Sequence, residues 1–298
     1  MLEIIKYNED EYAFPSLLVL GCFDAIHIGH AELLKKAKLQ AKINGLDLGV
    51  MMFVGGKGGR QVCNFEERQK LLEQYGVKFI LAIDYTDEFK ATTANQFLEN
   101  LESKINVKAY MSGRDFRFGV GAKGKSATLK AYAEDDENGV WYMPVKDVTY
   151  VGEKVSTTLI KNCIENGNLV KAGALLGRPY SVTGFVIEGA NRGKELGFPT
   201  VNMKYPVEKV EVKKGVYKVK CVVSDETFTG IANYGGRPTF NENSAVLEVH
   251  LDGFVGTLYG RGVTVEFIEF LRDTQKFDSA EDLIKQLKTD LQRAKLKV

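Results

Sequence analysis

Histidine is scarce in this sequence, which contains three in 298 residues. Its four cysteines, Cys22, Cys63, Cys163 and Cys221, are scattered, with no CxxC pair and no histidine cluster at zinc spacing. This argues against a disulfide framework and a structural zinc, and free thiols are typical of a reducing compartment. The sequence also lacks a signal-peptide pattern and any apolar run of the roughly 18 residues that a membrane helix needs. We expect a cytoplasmic protein with no membrane partner.

An excess of charge of either sign is also missing, because 40 Lys and Arg residues nearly balance 39 Asp and Glu residues. No global field would attract nucleic acid, so we expect no nucleic-acid partner, and an anionic ligand must be held by a local site. A hydrophobic fraction of 44% with 27% charged residues is typical of a globular protein. The length favours two domains.

The first half alternates apolar runs with helical patterns. Strands are predicted at 17–22, 48–54, 78–83 and 108–112, and helices at 31–44, 65–75 and 94–104. Such alternation predicts βαβ units and a mostly parallel, Rossmann-like sheet.

The pattern changes beyond residue 155, where two helices at 155–166 and 169–176 precede closely spaced strands with glycine turns. This spacing predicts a small antiparallel barrel or sandwich. Ser279 and Asp282 then cap a last helix that runs to about Lys295. The fold class is therefore α/β, with an N-terminal domain over 1–173 and a C-terminal β-barrel domain with a terminal helix over 174–298.

Two of the three histidines lie close together in LGCFDAIHIGH, residues 20–30. This segment joins the predicted first strand to the first helix, which is where open α/β sheets bind ligands. A helix that starts near Gly29 directs free N–H groups into the crevice, and His27 and His30 would add donors for a phosphate. In the simpler interpretation, one histidine caps the helix and the other lies at the surface. Metal hydrolysis, histidine phosphorylation and nucleotidyl transfer are all compatible with such a pair; the absence of HExxH spacing favours nucleotidyl transfer.

Two further glycine-rich segments are candidates for phosphate binding. GVGAKGKS, 119–126, matches the P-loop pattern, but the polar stretch GRDFRF stands where a strand should lead into the first glycine. We therefore do not assign a P-loop there. GGKGGR, 55–60, is either an ordinary loop or a basic loop that folds over phosphates.

The second half has its own candidate cluster. GANRGKELGFPTVN, 189–202, places a basic glycine loop before Thr200 and Asn202, whose oxygens suit a hard cation that carries a nucleotide. Glu248 in LEVHL lies on a predicted strand, on the face opposite Leu247 and Val249. Without further context it is an ordinary solvent-facing glutamate.

Taken together, these motifs resemble those of known protein families. GxFDxxHxGH after a strand resembles the nucleotidylyltransferase signature. An ordered series from about residue 17 to 290 resembles the prokaryotic bifunctional riboflavin kinase/FMN adenylyltransferase family: GCFDAIHIGH, SGRDFRFG, VSTTLIK, LLGRPYSVTG, RGKELGFPTVN, NYGGRPTF, LEVHL and LRDTQKFDSAEDL.

The resemblance implies that the first domain adenylylates FMN to FAD with release of pyrophosphate, while the barrel phosphorylates riboflavin to FMN. ATP and Mg²⁺ serve both reactions, with flavins as substrates and products. It also implies catalytic roles for His27, His30 and Glu248, with Glu248 as general base, and a metal site at Thr200 and Asn202. The other implied binding residues are Gly21, Phe23, Asp24, Gly29, Asp115, Phe116, Ser156, Thr157, Lys161, Gly189, Gly193, Lys194, Gly197, Pro199, Arg272 and Phe277.

The sequence departs from the family pattern in its first domain. Ala25 stands where glycine is usual, GGKGGR stands where acidic and proline residues are common, and Lys161 replaces an arginine. Lysine meets a phosphate without the bidentate fork of arginine. The alternative prediction is riboflavin kinase activity alone, with a weakened or regulatory nucleotide-binding first domain. A transferase for another phosphorylated alcohol is disfavoured because the barrel motifs are nearly intact.

Overall fold

The computed structural model describes residues 2–135, 138–188, 197–223, 226–235 and 246–296. The predicted binding residues Gly189, Gly193 and Lys194 lie outside this part of the chain. The chain forms two compact units, Met1–Thr157 and Thr158–Val298. The predicted boundary between functional domains at 173/174 stays a prediction.

The first unit is built on a six-stranded parallel sheet with the order β1-β4-β3-β2-β5-β8. In chain order its helices and strands are β1 (Glu3–Lys6), β2 (Tyr12–Leu20), α1 (Ile28–Asn44), β3 (Asp47–Phe53), α2 (Phe65–Gln74), β4 (Phe79–Ile83), α3 (Asp87–Ala91), α4 (Ala94–Lys104), β5 (Ile105–Gly113), β6 (Arg117–Phe118), β7 (Gly124–Lys125), α5 (Ser126–Ala133), β8 (Trp141–Val145), β9 (Thr149–Tyr150) and β10 (Glu153–Lys154).

The central strands of this sheet are buried on both faces, as their continuous apolar runs predict. All five residues of β4 are buried, and so are the last six of β3. One core cluster packs α1 and α2 against one face of the sheet, and a second packs α4 and α5 against the other. The prediction of a parallel α/β sheet is confirmed.

Predicted and observed boundaries agree to within a few residues. Helix α4 has the predicted limits, whereas α1 begins at Ile28 rather than at residue 31, because His27 caps it one turn earlier. Strands β1 and β8 were not predicted. Both lie at the edges of the sheet, where the apolar signal is weaker.

The P-loop look-alike GVGAKGKS does not form a P-loop. Its residues make a tight 3-10 turn, Val120–Ala122, inside the antiparallel β6–β7 hairpin. Gly119 is required there because its φ is +70° and a Cβ would lie 2.7 Å from the backbone nitrogen of Ala94.

The second unit is a closed six-stranded barrel with the order β11-β12-β15-β14-β13-β16. Helices α6 (Thr157–Glu165) and α7 (Leu169–Leu176) come before it, followed in chain order by β11 (Tyr180–Ile187), β12 (Thr200–Lys204), β13 (Gly215–Val223), β14 (Glu226–Gly235), β15 (Val246–Leu251), β16 (Gly262–Arg272) and α8 (Ala280–Lys295). The predicted antiparallel barrel and its terminal helix are confirmed.

Alternation along the barrel strands sends apolar side chains inward. Leu247 and Val249 on β15 are fully buried, whereas Glu248 between them is half-buried. Ser279 caps α8 by accepting the N–H of Asp282, as predicted. No helix in the described part of the chain is long and apolar enough to cross a membrane.

Candidate active sites

The turn between β2 and α1 is tightly wound. Phe23 and Ile26 have φ values of 50° and 42°, a region that non-glycine residues adopt only when their surroundings impose it. Phe23 is fully buried, so its ring anchors the turn. Ala25 is buried without a positive φ, so the backbone there accepts alanine in place of the usual glycine.

His27 and His30 form a stacked pair at the start of α1. Their ring centroids are 3.8 Å apart with an interplanar angle of 9°, and Nδ1 of His27 accepts the backbone N–H of His30 at 3.2 Å. This hydrogen bond assigns the ring proton of neutral His27 to Nε2. His27 is thus the helix cap that the simpler interpretation expected, and both histidines also line a pocket. A Cβ at Gly29 would lie 3.1 Å from the His27 ring.

The pocket has a volume of about 320 Å³ and lies at the carboxyl ends of β2, β5 and β8. Helix α1 begins at it, and the N–H groups of its first turn are directed toward a bound anion. Its lining comprises Leu20, Gly21, Cys22, His27, Gly29, His30, Leu33, Lys57, Gly113, Asp115, Phe116, Arg117, Val145, Lys146, Asp147, Val148, Lys154, Val155, Ser156 and Thr157.

A lysine between two carboxylates neutralises the acidic side of this pocket. Nζ of Lys154 lies 2.7 Å from Asp115 and 2.9 Å from Asp147. Burial lowers the pKa of Lys154, but the hydrogen bonds to both aspartates outweigh this effect and raise it. Since Lys57, Arg117 and Lys146 also line the pocket, its balance of charge suits a polyphosphate.

Asp24 contacts the chain after β3. It is buried, and its Oδ1 accepts the N–H of Val62 at 2.7 Å. Arg68, to which no sequence pattern pointed, lies nearby and is fully buried in the first turns of α2. Its guanidinium donates to the carbonyls of Phe53 and Val54 and to Gln61, and burial lowers its pKa.

The site residues predicted for the first domain, 1–173, thus divide into two groups. Gly21, His27, Gly29, His30, Asp115, Phe116, Ser156 and Thr157 are brought together in the pocket lining. Phe23, Asp24 and Lys161 do not line it; Lys161 follows Thr157 by one turn of α6. Lys146 and Lys154 were missed because isolated lysines on short edge segments carry no pattern.

The second candidate site lies on three neighbouring strands of the barrel. Asn202 of β12 pairs directly with Glu248 of β15, and Glu248 pairs on its other side with Asn233 of β14. Residues directly opposite one another share a face of the sheet, as do residues two apart on a strand, so Thr200 belongs to the same face. The face therefore carries a carboxylate flanked by oxygen ligands.

The third histidine of the chain lies on the same face. His250 pairs with Thr200 in register, its Nδ1 lies 2.9 Å from the carbonyl oxygen of Pro199, and its ring contacts Phe198. Gly197, just before, has a φ of +75°, which favours glycine. The sequence did not point to His250 or Asn233; only the strand register places them beside Glu248 and Thr200.

Arg272 and Phe277, the predicted flavin residues, lie together at the end of β16. The Arg272 guanidinium is 5.8 Å from the centre of the Phe277 ring. Nε and Nη2 of Arg272 donate to the buried carboxylate of Asp290 on α8, which also accepts from Gln286. Arg272 is thus held in place by the terminal helix.

Comparisons with known proteins match both units. Residues 10–159 match the family model described as FAD synthetase, and residues 176–298 match that described as riboflavin kinase. The chain is 31% identical over 291 residues to the bifunctional riboflavin kinase/FMN adenylyltransferase of Bacillus subtilis (strain 168), covering 94% of this chain and 91% of that one. It belongs to the bifunctional riboflavin kinase/FMN adenylyltransferase family.

A second relative carries the same name. The family member from Haemophilus influenzae is 33% identical over 299 residues, covering 97% of this chain and 96% of that one. The crystal structure of a macrolide-efflux protein from Streptococcus pneumoniae has 30% identity, a TM-score of 0.91 and 99% coverage of both chains. Both enzymatic domains are present, so the chain is a bifunctional transferase whose small-molecule ligands are ATP and flavins.

Proposed function

We propose that FMN is adenylylated in the first-unit pocket, with ATP phosphates bound at the start of α1. The observation that carries this proposal is the stacked histidine pair, whose rings both line a pocket at the N-terminus of α1. His27 offers its Nε2 proton, and Ser156 and Thr157 offer hydroxyls from the other side of the pocket.

The reaction at this pocket requires positioning and charge stabilisation. The FMN phosphate attacks the α-phosphorus of ATP, and pyrophosphate leaves with the bonding electrons. Negative charge that develops on the phosphoryl oxygens is met by the N-terminus of α1 and by the two histidines, which are fixed before the substrates arrive. Asp24 acts through the loop after β3, because its carboxylate holds the Val62 N–H rather than lining the pocket.

We propose that riboflavin is phosphorylated on the barrel face around Glu248. The glutamate accepts the proton of the terminal ribityl hydroxyl as that oxygen attacks the γ-phosphorus of ATP, and ADP leaves with the bonding electrons. Asn202 and Asn233 flank Glu248 in register. Arg272 and Phe277 contact the flavin of the bound substrate, and Asp290 holds the Arg272 guanidinium in place.

The oxygen donors of this face fit Mg²⁺. Thr200 and Asn202 lie two apart on β12, and hydroxyl and amide oxygens suit a hard cation that keeps water and phosphate in its remaining positions. When bound, Mg²⁺ would neutralise charge on the transferring phosphate. We also place the protein in the cytoplasm; its free cysteines support a reducing environment.

A reciprocal pair of variants tests both assignments. Glu248→Gln removes the proton acceptor, so FMN formation from riboflavin should fall at least about 100-fold, in line with general-base catalysis. Conversion of supplied FMN to FAD should continue. The double variant His27→Ala, His30→Ala should do the reverse. Flavins are separated by chromatography after incubation with ATP and Mg²⁺.

In each variant the retained activity reports that the unchanged unit is intact, and circular dichroism compared with the parent protein checks that the substituted unit is folded. Loss of both activities in either variant would refute the separate sites. Full adenylylation activity in the double histidine variant would show that the reaction does not take place in the first-unit pocket.

A further inference from the structure

The residues 55–60, GGKGGR, form a loop that none of the roles above uses; we call it the basic loop. It joins the carboxyl end of β3 to the segment before α2, beside the first-unit pocket. Gly56, Gly58 and Gly59 have φ values of 70°, 97° and 75°, so three of its six residues adopt a backbone that favours glycine. Its conformation is therefore specified by the sequence.

Both ends of the basic loop are fastened to the protein. On the incoming side, Arg68 donates to the carbonyl oxygens of Phe53 at 2.8 Å and Val54 at 2.7 Å. On the outgoing side, it donates to Gln61 at 3.0 Å, and Asp24 accepts the N–H of Val62. A single buried cation thus joins the two ends, and the glycine-rich tip extends from a fixed base.

The tip carries Lys57 into the pocket lining, together with His27 and His30. Its Nζ lies 5.1 Å from the centre of the Phe53 ring and 5.9 Å from that of Tyr85. These aromatic faces hold the ammonium group, whereas the pocket carboxylates Asp115 and Asp147 pair with Lys154. The positive charge is therefore held beside the phosphate-binding part of the pocket.

We propose that Lys57 is a phosphate-binding residue of the adenylylation reaction, moving from the two aromatic rings to a phosphate oxygen when substrates bind. An exposed cation–π contact is weaker than a charge-assisted hydrogen bond to phosphate. The ammonium group of Lys57 therefore leaves the rings for the phosphate when substrates bind. The inference rests on the proposed location of adenylyl transfer in this pocket. The phosphate group belongs either to ATP or to FMN, and both offer the lysine the same anionic oxygens.

The test compares steady-state adenylylation by the full-length Lys57→Met, Lys57→Arg and Lys90→Met variants. Lys90 is the matched control, because its Nζ also lies over Tyr85, at 5.2 Å, but Lys90 is absent from the pocket lining. Lys57→Met should lower kcat/KM about tenfold or more, the expected effect of one hydrogen bond to a charged group. Lys57→Arg should recover most of this loss, and Lys90→Met should match the parent protein.

Varying each substrate separately identifies the source of the phosphate. A raised KM for ATP alone assigns Lys57 to the triphosphate, and a raised KM for FMN alone assigns it to the flavin phosphate. Riboflavin phosphorylation by the same samples should stay unchanged. The fluorescence of Trp141, which packs on a first-unit core cluster, should match that of the parent protein in each variant, which shows that the first unit is folded. Unchanged adenylylation by Lys57→Met, or an equal loss in Lys90→Met, would overturn the inference.

The double histidine variant separates this inference from the site assignment. If His27→Ala, His30→Ala abolishes adenylylation while Lys57→Met has no effect, the inference about Lys57 alone fails. If neither variant affects adenylylation, the pocket is not the reaction site. The proposed location of adenylyl transfer and the role of Lys57 are then both wrong.

Discussion

At the residue scale, charged groups buried in the first unit have defined partners. Arg68 donates to backbone carbonyls, and Glu102 on α4 accepts from the hydroxyls of Tyr110 and Tyr132, each at 3.0 Å. Burial raises the pKa of Glu102, and the two hydrogen bonds only partly oppose this effect. Burial, with the hydrogen bond to Glu102, raises the pKa of Tyr132 to about 12, so its hydroxyl keeps its proton near neutral pH.

The raised pKa of Glu102 predicts a pH-dependent cost in stability. A carboxyl whose pKa is higher in the folded state stabilises the fold below its ordinary pKa of 4.5, and that contribution is lost as pH rises through the folded value. Glu102→Gln cannot ionise. The midpoint of thermal unfolding of the parent protein, relative to Glu102→Gln, should therefore fall as pH rises from 4.5 to 7.

A control for this experiment is Glu73→Gln, which changes an exposed glutamate on α2 outside the tyrosine network. Correcting for its pH profile isolates the contribution of the Glu102 network. A difference between parent and Glu102→Gln that stays constant over this pH range would contradict the prediction.

At the scale of elements, the terminal helix α8 is attached to the barrel by apolar and charged contacts. Leu287, Leu291 and Ala294 pack on Val216 and Leu271 of the barrel. Polar contacts surround this strip: Arg272 with Asp290, Lys218 with the carbonyl oxygen of Leu296, and Arg293 with the carbonyl oxygen of Leu271 and with Glu269. Asp290 is the most buried of the charged groups in these pairs.

Removing Asp290 should therefore destabilise the second unit. Asp290→Ala leaves the Arg272 guanidinium, 19% exposed, without its carboxylate, which should cost about 3 kcal/mol. Urea unfolding measures the change. Lys295→Ala on the same helix breaks an exposed pair with Asp252 and should change stability by less than about 1 kcal/mol. Equal effects of the two variants would show that burial does not distinguish these pairs.

At the scale of the whole molecule, each unit has its own core. The first unit packs helices on both faces of a sheet, and the second closes a barrel around inward-facing side chains such as Val219 and Phe267. The one tryptophan of the sequence, Trp141, lies in β8 and packs on a first-unit core cluster. Its fluorescence therefore reports on the first unit, while circular dichroism reports on both.

Two cores predict two unfolding transitions. Asp290→Ala should lower the midpoint of a transition seen by circular dichroism and leave the Trp141 midpoint unchanged. Arg68→Met, which leaves buried carbonyls at Phe53 and Val54 without their donor, should lower the Trp141 midpoint. If both variants shift both signals equally, the chain unfolds as one cooperative unit.

The sequence alone determined the sheet, the barrel and the order of the motifs, since strand and helix periods and turn residues act over a few neighbouring positions. It also placed His27 and His30 at a helix start beside a sheet edge. Tertiary structure decided which distant residues meet: the register that sets Asn202 and Asn233 beside Glu248, and the burial of Arg68 under the basic loop. Those contacts depend on strand pairing and packing between segments far apart in the chain, which a local pattern does not encode.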